Sequence, residues 1–140
     1  MGIVKYCPCD CSATLKYFEG EGDTFYEANI CPDCENPSGS SLTITSPDGT
    51  FFEAKSFNPT SCMTTPGGVL LVTSGEGISV PSGSDVYGYQ RNLFSLFLQK
   101  SDIQVRFDLF FKSIDKNGSS YTTSIAKIVP EDAITITKCP

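Results

Sequence analysis

The sequence predicts a mainly β protein: an antiparallel β-sandwich or barrel-like domain carrying one short helix and an N-terminal cysteine-clamped β-hairpin. Three observations predict it. Short runs rich in β-branched and aromatic residues recur between turn markers such as Ser46-Pro47-Asp48-Gly49, Pro66-Gly67-Gly68 and Pro81-Ser82-Gly83-Ser84. Ile103, Val105, Phe107, Leu109 and Phe111 alternate with Gln104, Arg106, Asp108 and Phe110, which gives one strongly apolar strand face. Asn117-Gly118 then supplies the two positive-φ residues that a tight hairpin turn requires.

Taken in order, residues 13–18 and 24–28 read as two strands flanking Glu19-Gly20-Glu21-Gly22-Asp23, a stretch suited to a longer hairpin loop. Residues 35–41 are the best linker candidate, dividing a Cys-rich hairpin (1–35) from a sandwich or barrel (36–140) within one compact unit. Short β-type runs follow at residues 42–45, 50–57, 69–73 and 77–80. From Asp85 to Lys100, apolar residues at Val86, Tyr89, Leu93, Leu96 and Phe97 fall at helical spacing behind Ser84 or Asp85 as a cap, and this segment is assigned the helix. Residues 121–129 return as the partner of the 103–111 strand. Pro130 breaks that run, and residues 134–137 form a last strand.

A chain of 140 residues suits one domain and buries enough surface to form a core without staples throughout. The net charge is −6, with two Lys against seven acids in residues 1–35 and eight basic against nine acidic residues in the rest. The first segment is therefore the acidic part. Such a balance disfavours a phosphate-backbone grip, which is built from clustered Lys and Arg, so no nucleic-acid partner is expected. The first seven residues hold no apolar run of signal-peptide length, and Tyr6 breaks the myristoylation pattern. No apolar stretch is long enough for a spanning helix. These features predict synthesis in the cytosol.

The seven cysteines lie at positions 7, 9, 11, 31, 34, 62 and 139, five of them in the first 34 residues. Cys31-Pro32-Asp33-Cys34 is a C-x-x-C turn whose spacing lets two thiolates share one tetrahedral ion. With Cys7-Pro8-Cys9-Asp10-Cys11 returned to it by the hairpin, the layout resembles a zinc ribbon over about 30 residues. That resemblance implies zinc held by four of Cys7, Cys9, Cys11, Cys31 and Cys34. The first group has single-residue gaps where a ribbon has two, and Glu35 stands where a ribbon has glycine. The alternative is disulfides. Residues at i, i+2 and i+4 of a strand share a face, so Cys7, Cys9 and Cys11 would point toward Cys31 and Cys34, while Cys62 and Cys139 pair and tie down the C-terminus. Seven thiols leave an odd one, free or joining two chains. In the plainest reading, Cys62 and Cys139 are buried small hydrophobes.

Catalytic frames are sparse. The chain has no histidine, which excludes Ser-His-Asp and Cys-His catalysis. Gly75-Glu76-Gly77 lacks the third glycine of a dinucleotide fingerprint and reads as a turn. Glu19, Glu21 and Asp23 do not match a calcium loop and read as a solvated hairpin tip, and Glu131-Asp132 as a solvated loop. Among the aromatics, Phe107 and Phe111 are core, while Phe110 is out of phase and faces a partner or a second layer. The expectation is a non-enzymatic structural or assembly protein that docks on a protein scaffold or on copies of itself, with no small-molecule substrate. Its general character is similar to that of small bacteriophage virion proteins: capsid cement or decoration, neck, tail or baseplate components. The alternative is a zinc-knuckle module that binds or regulates a protein.

Overall fold

The structure of the protein, a computed structural model, describes residues 9–20, 24–32, 34, 39–45, 47, 51–80, 90–114 and 120–139. Ten strands run through them: β1 (Cys11–Glu19), β2 (Thr24–Ile30), β3 (Ser41–Thr45), β4 (Phe51–Phe57), β5 (Ser61–Thr65), β6 (Gly68–Val80), β7 (Gln90–Ser101), β8 (Val105–Ile114), β9 (Ser120–Val129) and β10 (Ile134–Lys138). All belong to one antiparallel sheet of order β10-β1-β2-β3-β4-β6-β7-β8-β9, nearly closed into a barrel, with β5 paired to β6. The Cys-rich hairpin β1–β2 is part of that sheet, since β1 also pairs with β10 and β2 with β3.

Period-two alternation drives this architecture, because it sends alternate side chains to one face where they can be buried together. In β8, Val105, Phe107 and Leu109 are buried and their intervening neighbours are half-buried or exposed. Leu15, Ile30, Leu42, Leu71, Leu96 and Ile134 bring six more strands into the same core. Aromatic rings fill its two ends. Tyr26 and Phe107 lie 5.1 Å apart between centroids at one, and Phe52 touches Phe111 at 4.9 Å and Phe94 at 5.7 Å at the other. Each fully buried Leu or Phe contributes roughly 1.5–3 kcal/mol relative to leaving it exposed.

The expected helix is a strand. The described part of the 85–100 segment is β7, paired with β6 and β8 along its whole length. Asn92, Phe94, Leu96 and Leu98 are buried at strict alternation, and Leu93, Ser95 and Phe97 occupy the outer face. Apolar residues on both faces imitate a helical period, and pairing on both sides settles the ambiguity. Residues 85–89 lie outside the described residues. Glu131–Ala133, after Pro130, forms a 3₁₀ turn.

Two further expectations change. Gly75-Glu76-Gly77 is not a turn but the middle of β6, so the 69–73 and 77–80 runs form one 13-residue strand. β5 has no counterpart in the sequence reading because its residues, Ser61-Cys62-Met63-Thr64-Thr65, carry little apolar signal. The Asn117-Gly118 turn lies outside the described residues, and the strands on either side of it pair from Ile114↔Ser120 to Val105↔Val129.

The ends of the sheet path, β9 and β10–β1, meet at a seam. At one end the chain closes it, with Pro130 and the 3₁₀ turn carrying β9 into β10, and Lys100 Nζ of β7 donating to the Ile134 carbonyl at 2.9 Å. Farther along, Lys127 Nζ of β9 donates to Glu19 Oε1 of β1 at 2.8 Å.

Candidate functional site

The cysteines converge on one end of the barrel. Three disulfides join Cys9 to Cys31, Cys11 to Cys62 and Cys34 to Cys139, across 22, 51 and 105 residues of sequence. Their Cα–Cα distances, 6.4, 6.1 and 5.7 Å, lie within disulfide reach. Each bridge links different parts of the sheet: the segment before β1 to the end of β2, β1 to β5, and the turn after β2 to the end of β10.

Asp10 organises the backbone between them. Its amide donates to the Thr60 carbonyl at 3.3 Å, and its carbonyl accepts from the Cys139 amide at 2.9 Å. Its Oδ2 accepts from the Cys62 amide at 3.3 Å. A parallel bridge of Cys9 with Thr60 completes the contact. Cys9 and Asp10 thus bridge the start of β5 and the end of β10. A shallow cleft of about 300 Å³ lies over the Cys11–Cys62 bridge, flanked by Asp10, Met63 and Lys138.

The C-x-x-C turn is built into the disulfide framework. Both Cys31 and Cys34 take left-handed backbone conformations, φ 49° and 58°, and the Cys34 amide donates to the Cys31 carbonyl at 3.0 Å. The Cys31 amide donates to Ser40 Oγ at 2.7 Å. Within this turn the two sulfurs take different partners, Cys9 and Cys139. A sulfur in a disulfide has no thiolate to offer a metal, so zinc on Cys9, Cys11, Cys31 and Cys34 and this bonding pattern exclude one another. Among the described residues no three acidic or cysteine side chains gather as ligands.

The pairing of Cys62 with Cys139 is also replaced. Cys62 sits on β5 facing β1, whereas Cys139 follows β10 beside Asp10, so each meets a cysteine of the N-terminal group. Cys9 and Cys11 do share a buried face, but only Cys9 reaches Cys31. Cys7 lies outside the described residues.

The second feature is the outer face of β7, β8 and β9. Ser95, Phe110 and Ser124 stand side by side in register there, as do Leu93, Lys112 and Thr122. Phe110 is 47% exposed and meets Phe97 edge-on at 5.6 Å, and Ile128 is 68% exposed on the same face. An open cleft of about 450 Å³ runs beside Phe110, with Leu93, Lys112, Thr122 and Ser124 in its lining. The out-of-phase position of Phe110 was visible in the sequence. Leu93 and Ile128 were not singled out, because each sits in a run that is apolar on both faces. Phe107 is wholly buried and Phe111 half-buried in the core.

The remaining candidates take modest places. Glu19 pairs with Lys127, Glu21 and Asp23 lie outside the described residues, and Glu131 and Asp132 are exposed on the 3₁₀ turn. Burial of Tyr26 beside Glu19 raises its pKa, and the hydrogen bond from Lys127 to Glu19 raises that of Lys127. No helix among the described residues is long and apolar enough to cross a membrane.

These features define a class by architecture alone: an antiparallel barrel laced at one end by three disulfides and presenting an aromatic outer face. Comparison with protein families, curated proteins and solved structures gives no significant match.

Proposed function

We propose that this protein is a non-catalytic structural component that docks within a larger particle, such as the decoration, neck, tail or baseplate of a bacteriophage virion. The observation that carries the reading is the outer face of a disulfide-locked barrel on which Leu93 and Phe110 are exposed beside the half-buried Phe97. Large apolar side chains grouped on an outer sheet face mark a contact surface, since water gains when they are covered. Three disulfides support it as well, because such bonds persist in the oxidising surroundings that a released particle meets. The acidic, His-free composition adds the virion character.

The test is assembly. Sedimentation velocity of the oxidised protein over a wide concentration range, together with gradient fractionation of the source particles, should find the chain self-associated or co-migrating with a particle in fixed stoichiometry. A monomer at all concentrations that co-migrates with nothing overturns the reading. So does substrate turnover that survives purification and is abolished by a point substitution.

A further inference from the structure

Strand β9 is a sheet edge with an unusual lack of protection. It pairs with β8 on one side, and no described residue pairs with its other edge. An unpaired edge of ten residues presents a ladder of amides and carbonyls some 30 Å long, a ready template for another strand. Soluble proteins usually guard such edges with charges, proline, bulges or brevity. β9 has no proline, its pairing with β8 shows no bulge, and its single charged residue, Lys127, is engaged by Glu19. The other edges are guarded. β10 has five residues and ends in Lys138, and β5 has five residues and meets Cys9 and Asp10 through Thr60.

Exposure along β9 shows which part stands clear of its own barrel. Val129 is buried, Lys127 and Ile125 are half-buried, and Thr123 is exposed, although all four share the inward phase. Thr122 and Ser124, on the outer face, are exposed too. Solvent therefore reaches both faces of the strand between residues 122 and 124.

We propose that this clear half of β9, Ser120–Ala126, pairs antiparallel with the same segment of a second copy of the chain. This inference deepens the assembly reading and rests on it. A second copy fits for three reasons. An antiparallel strand pair is self-complementary about a two-fold axis, so the contact closes on itself. The segment is uncharged, so two acidic chains meet where neither brings like charge. The joint would also continue β7-β8-β9 into the partner's sheet, setting Phe110 of each copy one strand from the junction, beside Ser124.

The test uses the full-length oxidised protein with charges placed on the exposed edge. Wild type should pass from monomer to dimer with concentration in sedimentation velocity. Thr122→Lys/Ser124→Lys and Thr122→Glu/Ser124→Glu should each weaken the dimer at least about tenfold, because pairing the segment with itself sets residue 122 of one copy opposite residue 124 of the other, so like charges then face each other across the pair. Their circular dichroism and melting should match wild type. An equal mixture of the two should restore the dimer, which a folding defect could not do. A dimer indifferent to both variants overturns the edge contact while leaving the assembly reading intact. A wild type that stays monomeric also overturns it, and co-migration with a particle then decides the broader reading by itself.

Discussion

Gly75 of β6 lies so close beneath the carbonyl of Ser56 in β4 that a β-carbon at Gly75 would overlap the oxygen. The register between the two strands slips between Ala54 and Ser56, so Lys55 bulges out and β4 folds down onto β6 at that point. Gly77, two residues on, has the Phe52 ring against it in the same way. β6 needs glycine here because its neighbour's backbone occupies the space of a side chain.

Gly75→Ala should therefore destabilise the fold by about 3 kcal/mol, at the upper end of overpacking costs, because backbone must move. Gly20→Ala meets nothing within 4 Å and should change stability by less than about 0.5 kcal/mol. Chemical denaturation of the two variants beside wild type measures both. Equal costs would mean that the β4–β6 crossing relaxes freely.

The same glycines show how far the sequence could be read. Period-two alternation made β8 plain, and the run at residues 121–129 was legible as its partner β9. In β6 the glycines resemble punctuation, and only the bulge in β4 reveals them as points of close approach. In β7 the pattern failed for another reason: Leu93 and Phe97 are apolar on the outer face, which blurs alternation into helical spacing. The cysteine connectivity was illegible because it depends on β5, a polar strand held by pairing with β6. Phe110 could be flagged from phase alone, whereas the unguarded edge of β9 appears only once the sheet order is known.

The disulfide framework predicts an intact mass six hydrogens below that of the fully reduced chain, three bridges at two hydrogens each, with no bound metal. Peptide mapping without reductant should recover the 9–31, 11–62 and 34–139 links, and alkylation should modify a single residue, Cys7. Cys34→Ser/Cys139→Ser opens the longest loop and frees the end of β10, and should lower stability by about 2–5 kcal/mol. A reduced mass with a zinc increment would contradict the framework and restore the knuckle.

The seam should weaken in alkali. The pKa of Lys127 is raised by its hydrogen bond to Glu19, and that of Tyr26 chiefly by burial. In both cases the folded state holds a proton that the unfolded chain releases earlier, near pH 10.0 for Tyr and 10.5 for Lys. Their stabilisation is complete below pH 10 and is lost as the pH climbs through the raised folded values. Melting temperature should thus fall above pH 10, and Tyr26→Phe should flatten the fall. The free thiol must be alkylated first, since a thiolate would attack the disulfides under these conditions. A Tyr26→Phe profile identical to wild type would show that this side chain carries no part of the alkaline response.

Three phenylalanines of one strand should separate cleanly by face. Phe107 is wholly buried between Tyr17 and Tyr26, so Phe107→Ala leaves a cavity and should cost about 3–5 kcal/mol. Phe111 is half-buried against Phe52, and its truncation should fall between the extremes. Phe110 loses little on truncation beyond its edge contact with Phe97, about 0.5–1.5 kcal/mol, because nearly half of it already meets water. Its effect should appear in association instead: Phe110→Ser should remain folded while self-association or particle binding declines. Denaturation midpoints and sedimentation on the same three variants read both quantities. If Phe110→Ser associates as wild type does, the aromatic face is not the contact surface, and the assembly reading would rest on the edge of β9 alone.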